Sequence, residues 1–206
     1  MPASGPSLIY QYDTAGSPDD GDLDFANWAG ATGQDADVED TLPSDLDTYR
    51  CVALDLNQSF NDGDEGQLAG YLQAGGTILA LGEHSDGDRL DAADAALNSM
   101  LGDLGVSITI NDDSNDYGDT VTSNIGSSPL TSGVSSIGYN WASSLSLSGS
   151  AQELVGSADD SYSLIAEQSA GGGTMIVSGD SNAFSDNNDG FYGDDNNGQL
   201  VSNMCP

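Results

Sequence analysis

Two turns in this sequence hold residues that could do covalent or proton-transfer chemistry. Gly179-Asp180-Ser181 follows an apolar run, and a serine there becomes a nucleophile if a base lies beside it. Glu83-His84 follows another apolar run, and a carboxylate next to an imidazole can trade protons near neutral pH. His84 is the only histidine, so any Ser–His pair must unite these two turns. Adjacent residues usually point different ways, so one of Glu83 and His84 is expected to face solvent. The blander reading of Ser181 is a turn in which Asp180 and Asn182 bond backbone amides and position the last loop. That reading is preferred, because only 25 residues follow Ser181 and none is histidine.

A third chemistry is cation binding. Calcium takes six to eight oxygen ligands from carboxylates, amides and carbonyls. Three loops are dense in such oxygens: 17–24, 111–119 and 185–197. The calcium candidates are Asp112, Asp113, Asp116 and Asp119 in the second loop, and Asp186, Asp189, Asp194 and Asp195 in the third. None matches an EF-hand loop. "NDGDEG" (61–66) approaches one but reads as the cap of a helix. One histidine and two scattered cysteines do not supply a transition-metal set. No organic cofactor is expected.

Composition narrows the partners. Of 206 residues, 34 are acidic and two are basic, Arg50 and Arg89, for a formal net charge of −32. Self-repulsion on that scale opposes the compact state unless cations screen or bind it. Nucleic acid is excluded as a partner, because phosphate contact needs Lys and Arg. The acids are dispersed and lie on no periodic face, which argues against a nucleic-acid mimic. Aspartate outnumbers glutamate by 29 to 5. That excess suits capped turns and loops and points to an extracellular or cell-surface module folded in calcium or seawater. The alternative is an intracellular protein of a salt-accumulating organism. No segment is long and apolar enough for membrane insertion. "MPASGPS" is no signal peptide, so an exported chain would carry its signal elsewhere. Whether Cys51 and Cys205 pair is open at this level. Trp28, Trp141, Tyr139, Phe184, Phe191 and Tyr192 include enough aromatics for a glycan-stacking platform, although such residues are more often core.

Alternating elements must position these groups. Strands are expected at 7–12, 37–40, 50–56, 77–82, 106–110, 119–123, 143–148, 153–158, 163–168 and 173–179. Helices are expected at 22–33, 61–76, 89–105 and 195–204. The pair 153–158 and 163–168 reads as antiparallel. The order implies one α/β domain over 1–206: an open, mostly parallel sheet flanked by helices, with an added antiparallel segment in the second half. In such sheets ligands sit beyond the carboxyl ends of the parallel strands. That rule gathers Asp13, Asn57, Gln58, Glu83, His84, Asp180 and Asn182 as ligand-binding candidates.

The stretches "AGGTILALGEH" (74–84), "SPLTSGVSS" (128–136), "GDSNAFSD" (179–186) and "DNNGQLVSNM" (195–204) resemble the class I glutamine amidotransferase-like superfamily, which is flavodoxin-like. More narrowly, they resemble exported bacterial proteins of unknown function, some with PEP-CTERM sorting tails. The resemblance covers about residues 50–204 and implies a fold more than an activity. Amidotransferases place a cysteine in the turn that is Gly82–Gly87 here, and neither cysteine lies there. The downstream His-x-Glu is absent as well, so amidotransferase chemistry is excluded. Gly-Asp-Ser also resembles the GDSL hydrolase block, but that family places it near the N-terminus with Asp-x-x-His far downstream. The expectation is a non-catalytic exported or cell-surface module for binding, adhesion or assembly, with other surface proteins or glycans as partners. The rival is a hydrolase using Ser181 or Glu83 with His84.

Overall fold

The strands with near-continuous apolar runs lie at the centre of the sheet, as burial on both faces requires. The computed structural model describes residues 5–11, 35–55, 57, 59–85, 87–184 and 196–206. The parallel half consists of β1 (Ser7–Gln11), β2 (Ala36–Glu39), β3 (Val52–Asp55), β4 (Thr77–Leu81) and β11 (Gly173–Ser178). Strands β3, β4 and β11 lie side by side and parallel. Among the described residues the sheet has nine strands, in the order β2-β1-β3-β4-β11, then β10 (Ser163–Ala170), β8 (Leu145–Leu147) and β5 (Ile108–Ile110), with β9 (Gln152–Gly156) paired to β10. Its antiparallel members are β5, β8, β9 and β10. A separate two-stranded sheet joins β6 (Asn115–Thr122) to β7 (Ile137–Ala142). The α/β class with an added antiparallel segment is therefore as the sequence implies.

Helix α1 (Asp62–Gln73) begins where Asn61 accepts from Gly63 N and Asp64 N while Asp64 bonds back to Asn61 N, a complete capping box. It ends because Gly75 adopts φ 94°. Gly76 N then reaches the Tyr71 carbonyl and Gly75 N the Leu72 carbonyl, which closes the last turn. Helix α2 (Asp88–Asp103) and α1 cover one face of the sheet, with Leu68, Leu72, Leu97 and Met100 packed on Val52, Leu54, Ile78 and Val177. Helix α3 (Asn197–Met204) and β7 cover the other face, with Leu200, Met204 and Tyr139 packed among Ala53, Leu79, Leu81 and Ile176. A disulfide joins Cys51 to Cys205 with Cα atoms 5.3 Å apart, tying α3 to the start of β3.

Three expectations need correction. The strand placed at 143–148 is only β8, Leu145–Leu147, and β7 before it was not expected; the chain turns at Ser143-Ser144 to leave the hairpin and enter the main sheet. The strand placed at 119–123 begins earlier, at Asn115, in polar residues that carry no strand signal. The strand placed at 106–110 is only Ile108–Ile110. The helix expected at 22–33 lies outside the described residues.

Candidate functional site

Cross-strand register builds the site. Asp55, Leu81 and Ser178 stand at one level of β3, β4 and β11, so the turns that follow place Asn57, Glu83 and Asp180 at the carboxyl rim. The turn after β11 needs glycine at 179, because any Cβ there would overlap the Ser143 carbonyl oxygen. That close approach lets Ser143 N donate to the Gly179 carbonyl at 2.8 Å and brings the β6–β7 sheet onto the rim. Ser143 Oγ then donates to the Glu83 carbonyl, and Ser85 N to the Asp113 carbonyl.

Glu83 lies between the serine and the histidine. Ser181 Oγ donates to Glu83 Oε2 at 2.5 Å. Glu83 Oε1 accepts from His84 N at 2.9 Å and faces His84 Nδ1 at 2.7 Å. A carboxylate only accepts, so the Nδ1 proton is fixed toward it. In a catalytic triad the imidazole stands between hydroxyl and carboxylate and takes the hydroxyl's proton. Here the carboxylate occupies that middle place, and Ser181 is fully buried. The expectation that Glu83 or His84 faces solvent is overturned: they are 5% and 9% exposed, because a shared hydrogen bond turns both side chains inward.

Two further acids pack around Glu83. Asp180 is wholly buried and accepts from Asn182 N and Asn140 N, and burial, then the Glu83 charge, push its carboxyl well above the usual range. Asp94 of α2 accepts from Glu83 N at 3.1 Å, and burial pushes its carboxyl from 3.8 up to about 8. A neutral acid is the cheaper form in such surroundings. Asp94 also borders a cleft of about 170 Å³ with Ser85, Asp91, Asn98 and Asp112.

The β6–β7 sheet supplies the outer layer. Asn115 pairs with Ala142 and Asp119 with Asn140, so residues 116–118 form a bulge opposite Trp141 alone. Asp116 and Trp141 take φ of 51° and 57°. Left-handed backbone costs a non-glycine residue about 1–2 kcal/mol. Asp116 turns inward and accepts from the hydroxyls of Tyr139 and Tyr162 at 2.5 and 2.8 Å. Burial, then these bonds to Asp116, raise both phenols, Tyr139 to about 12. Trp141 stacks on His84 with ring centroids 4.0 Å apart and planes 10° from parallel.

The rim gathers Asn57, Glu83, His84, Asp180, Ser181 and Asn182. Asn57 is 1% exposed, and among the described residues neither atom of its side-chain amide has a hydrogen-bond partner. Asp13, Gln58, Asp186, Asp189, Asp194 and Asp195 lie outside the described residues. In the 111–119 loop, Asp113 spends its carboxylate on Ser144 N, Ser144 Oγ and Asn115, and Asp116 on the two tyrosines, while Asp112 and Asp119 are exposed. Among the described residues, no three His, Cys, Asp or Glu side chains converge as a metal would need. Of the aromatic candidates, Tyr139 and Phe184 are core, and Trp28, Phe191 and Tyr192 lie outside the described residues. Sequence reasoning missed Asp94 and Tyr117. The signal for Asp94 was an acid inside the apolar stripe of Leu90, Ala93 and Leu97; Tyr117 gave none.

No protein-family model and no curated protein sequence matches the chain. Solved structures do resemble it. The mmIFT52 N-terminal domain aligns with a TM-score of 0.68 at 15% identity, over 95% of this chain and 93% of that one. A cytoplasmic protein from Salmonella typhimurium gives 0.67 at 11% identity over 97% of both chains. A ThuA-like protein from Bacteroides uniformis gives 0.59 at 14% identity, over 98% of this chain and 91% of that one. At such identities the likeness establishes the fold alone, a mostly parallel α/β sheet flanked by helices. Among the described residues, no helix is long and apolar enough to cross a membrane.

Proposed function

We propose that this chain is a non-catalytic, exported or cell-surface module for binding, adhesion or assembly, stabilised by calcium or high salt. One observation carries the reading: Glu83 stands between Ser181 and His84, so the rim's hydroxyl is committed to a carboxylate and withdrawn from solvent. A hydroxyl that is wholly buried lacks the access to substrate that nucleophilic catalysis needs, and the imidazole that takes the proton in a triad stands here on the far side of the carboxylate. The Cys51–Cys205 disulfide favours an oxidising compartment, where such bonds persist. The net charge of −32 favours surroundings rich in cations.

The test is chemical. The purified protein is incubated with a serine-reactive fluorophosphonate and, separately, with p-nitrophenyl acetate, alongside Ser181→Ala. The expected result is no labelling at Ser181 and no ester turnover above that of the variant. Labelling or turnover that disappears in Ser181→Ala would establish the hydrolase instead.

A further inference from the structure

The outer face of the β6–β7 bulge does the opposite of what hydrophobic burial would choose. Tyr117 is 82% exposed and Val121 53% exposed, and with exposed Asp119 between them they alternate with half-buried residues along β6. The bulge that presents Tyr117 contains left-handed Asp116 and Gly118 and faces left-handed Trp141. Strain of this kind persists where the surroundings over-determine it, and bulges re-aim side chains beside binding sites. The exposed ring is also firmly seated. Tyr117 meets Trp141 edge-to-face at 4.6 Å, Trp141 stacks on His84, His84 bonds Glu83, and Glu83 holds Ser181. A surface aromatic rooted in the core is ordered before any ligand arrives, which lowers the entropy cost of binding. Beside it, exposed Asp119 pairs across the ladder with Asn140, whose Oδ1 is fixed by Gly118 N.

We propose that this face is a platform for a neutral saccharide, with the Tyr117 ring stacking on a sugar and with Asp119 and Asn140 taking its hydroxyls. The proposal deepens the reading of the chain as a non-catalytic binding module and rests on it. Charge selects the occupant. Residues 115–142 contain no Lys, Arg or His, so this stretch offers no cation to pair with a phosphate, sulfate or uronic carboxylate. Attraction of a cationic ligand fades as salt rises, since the screening length falls to about 3 Å near 1 M. Stacking and hydroxyl bonds persist there.

The experiment titrates the protein in about 1 M NaCl with neutral hexasaccharides of β-1,4-glucan, β-1,3-glucan, α-1,4-glucan and β-1,4-mannan. Binding is followed by calorimetry and saturation-transfer NMR, with poly-L-lysine as the cationic probe. The expected result is millimolar or tighter binding of at least one hexasaccharide. Tyr117→Ala weakens it about tenfold, the loss of one stacking ring, and Tyr117→Phe largely restores it. Because the ring is exposed, Tyr117→Ala should leave the melting temperature unchanged. Failure of every saccharide to bind, equal binding by Tyr117→Ala, or binding of poly-L-lysine alone overturns the platform. A surface partner whose capture ignores Tyr117→Ala would overturn the platform and leave the module standing. Hydrolysis of a saccharide bound through Tyr117 would do the reverse.

Discussion

Asp94→Asn should flatten the pH dependence of stability. The Asp94 side chain lies under the Glu83 turn, 8% exposed, with its Oδ1 accepting Glu83 N. Burial outweighs that bond and raises the carboxyl from 3.8 to about 8, with the Glu83 charge adding to the rise. Between those two values the folded chain holds a proton at Asp94 that the unfolded chain has released. Stability therefore falls as pH rises through this window, by about 1.4 kcal/mol per pH unit from this group alone. From pH 5 to pH 7 the loss is about 3 kcal/mol, and it levels off above pH 8. Asparagine matches the shape of the neutral acid and keeps the acceptor for Glu83 N, but it never ionises. Urea unfolding of wild type and Asp94→Asn at pH 5, 6, 7 and 8 in constant high salt isolates the effect, because the other acids are common to both. Because the unfolded chain ionises Asp94 from pH 3.8 upward, the variant should already lead by about 1.6 kcal/mol at pH 5 and by about 4 kcal/mol at pH 7, within about 1 kcal/mol for the side-chain change itself. Asp180, raised in the same direction by burial and Glu83, should leave a similar downward slope in both curves. Parallel curves for the two proteins, or a wild type that gains on the variant with pH, would refute a neutral Asp94.

Two other outcomes follow from the same structure. Reducing the Cys51–Cys205 bond, which closes a separation of 154 residues, should cost up to about 5 kcal/mol by chain entropy and lower the melting temperature by about 10–20 °C. A thermal scan with and without reductant checks this, and an unchanged midpoint would show that the bond constrains little. Raising NaCl from about 0.05 to 1 M should raise the melting temperature steadily as charges of one sign are screened. Calcium at matched ionic strength should add a further increment that EDTA reverses. Equal effects of calcium and sodium would remove a specific calcium site, and a flat salt response would remove the screening argument as well.

The rim's location was legible because burial on both faces leaves an apolar run of side chains, and two such runs end in Gly82-Glu83 and Gly179-Asp180. The parallel run of β3 and β4 then follows from strand and helix alternation, and α1 from Asn61 and Gly75-Gly76. What could not be read is the order in which the rim's side chains bond. Glu83 and Ser181 are 98 residues apart, and only the register of β4 beside β11 decides that the carboxylate reaches the hydroxyl before the imidazole does. The disulfide was open for the same reason, since pairing depends on where α3 returns relative to the start of β3. Strand β7 was invisible because Tyr139 and Asn140 serve opposite faces of a small sheet in a Ser- and Gly-rich stretch with weak alternation.

Several breaches of local rules fall in one place. An acid in the apolar stripe of α2, a tryptophan and an aspartate in left-handed backbone, and an aromatic turned to solvent all surround the Glu83-His84 turn. Sequences that specify one fold satisfy local preferences nearly everywhere, and real proteins break them where function requires it. Each breach here is held by a neighbour: Asp94 by Glu83 N, Asp116 by two tyrosines, Trp141 by His84. Together they connect a sealed interior carboxylate to an exposed ring at the surface. That linkage fixes geometry and keeps the Ser181 hydroxyl buried beneath the outer face.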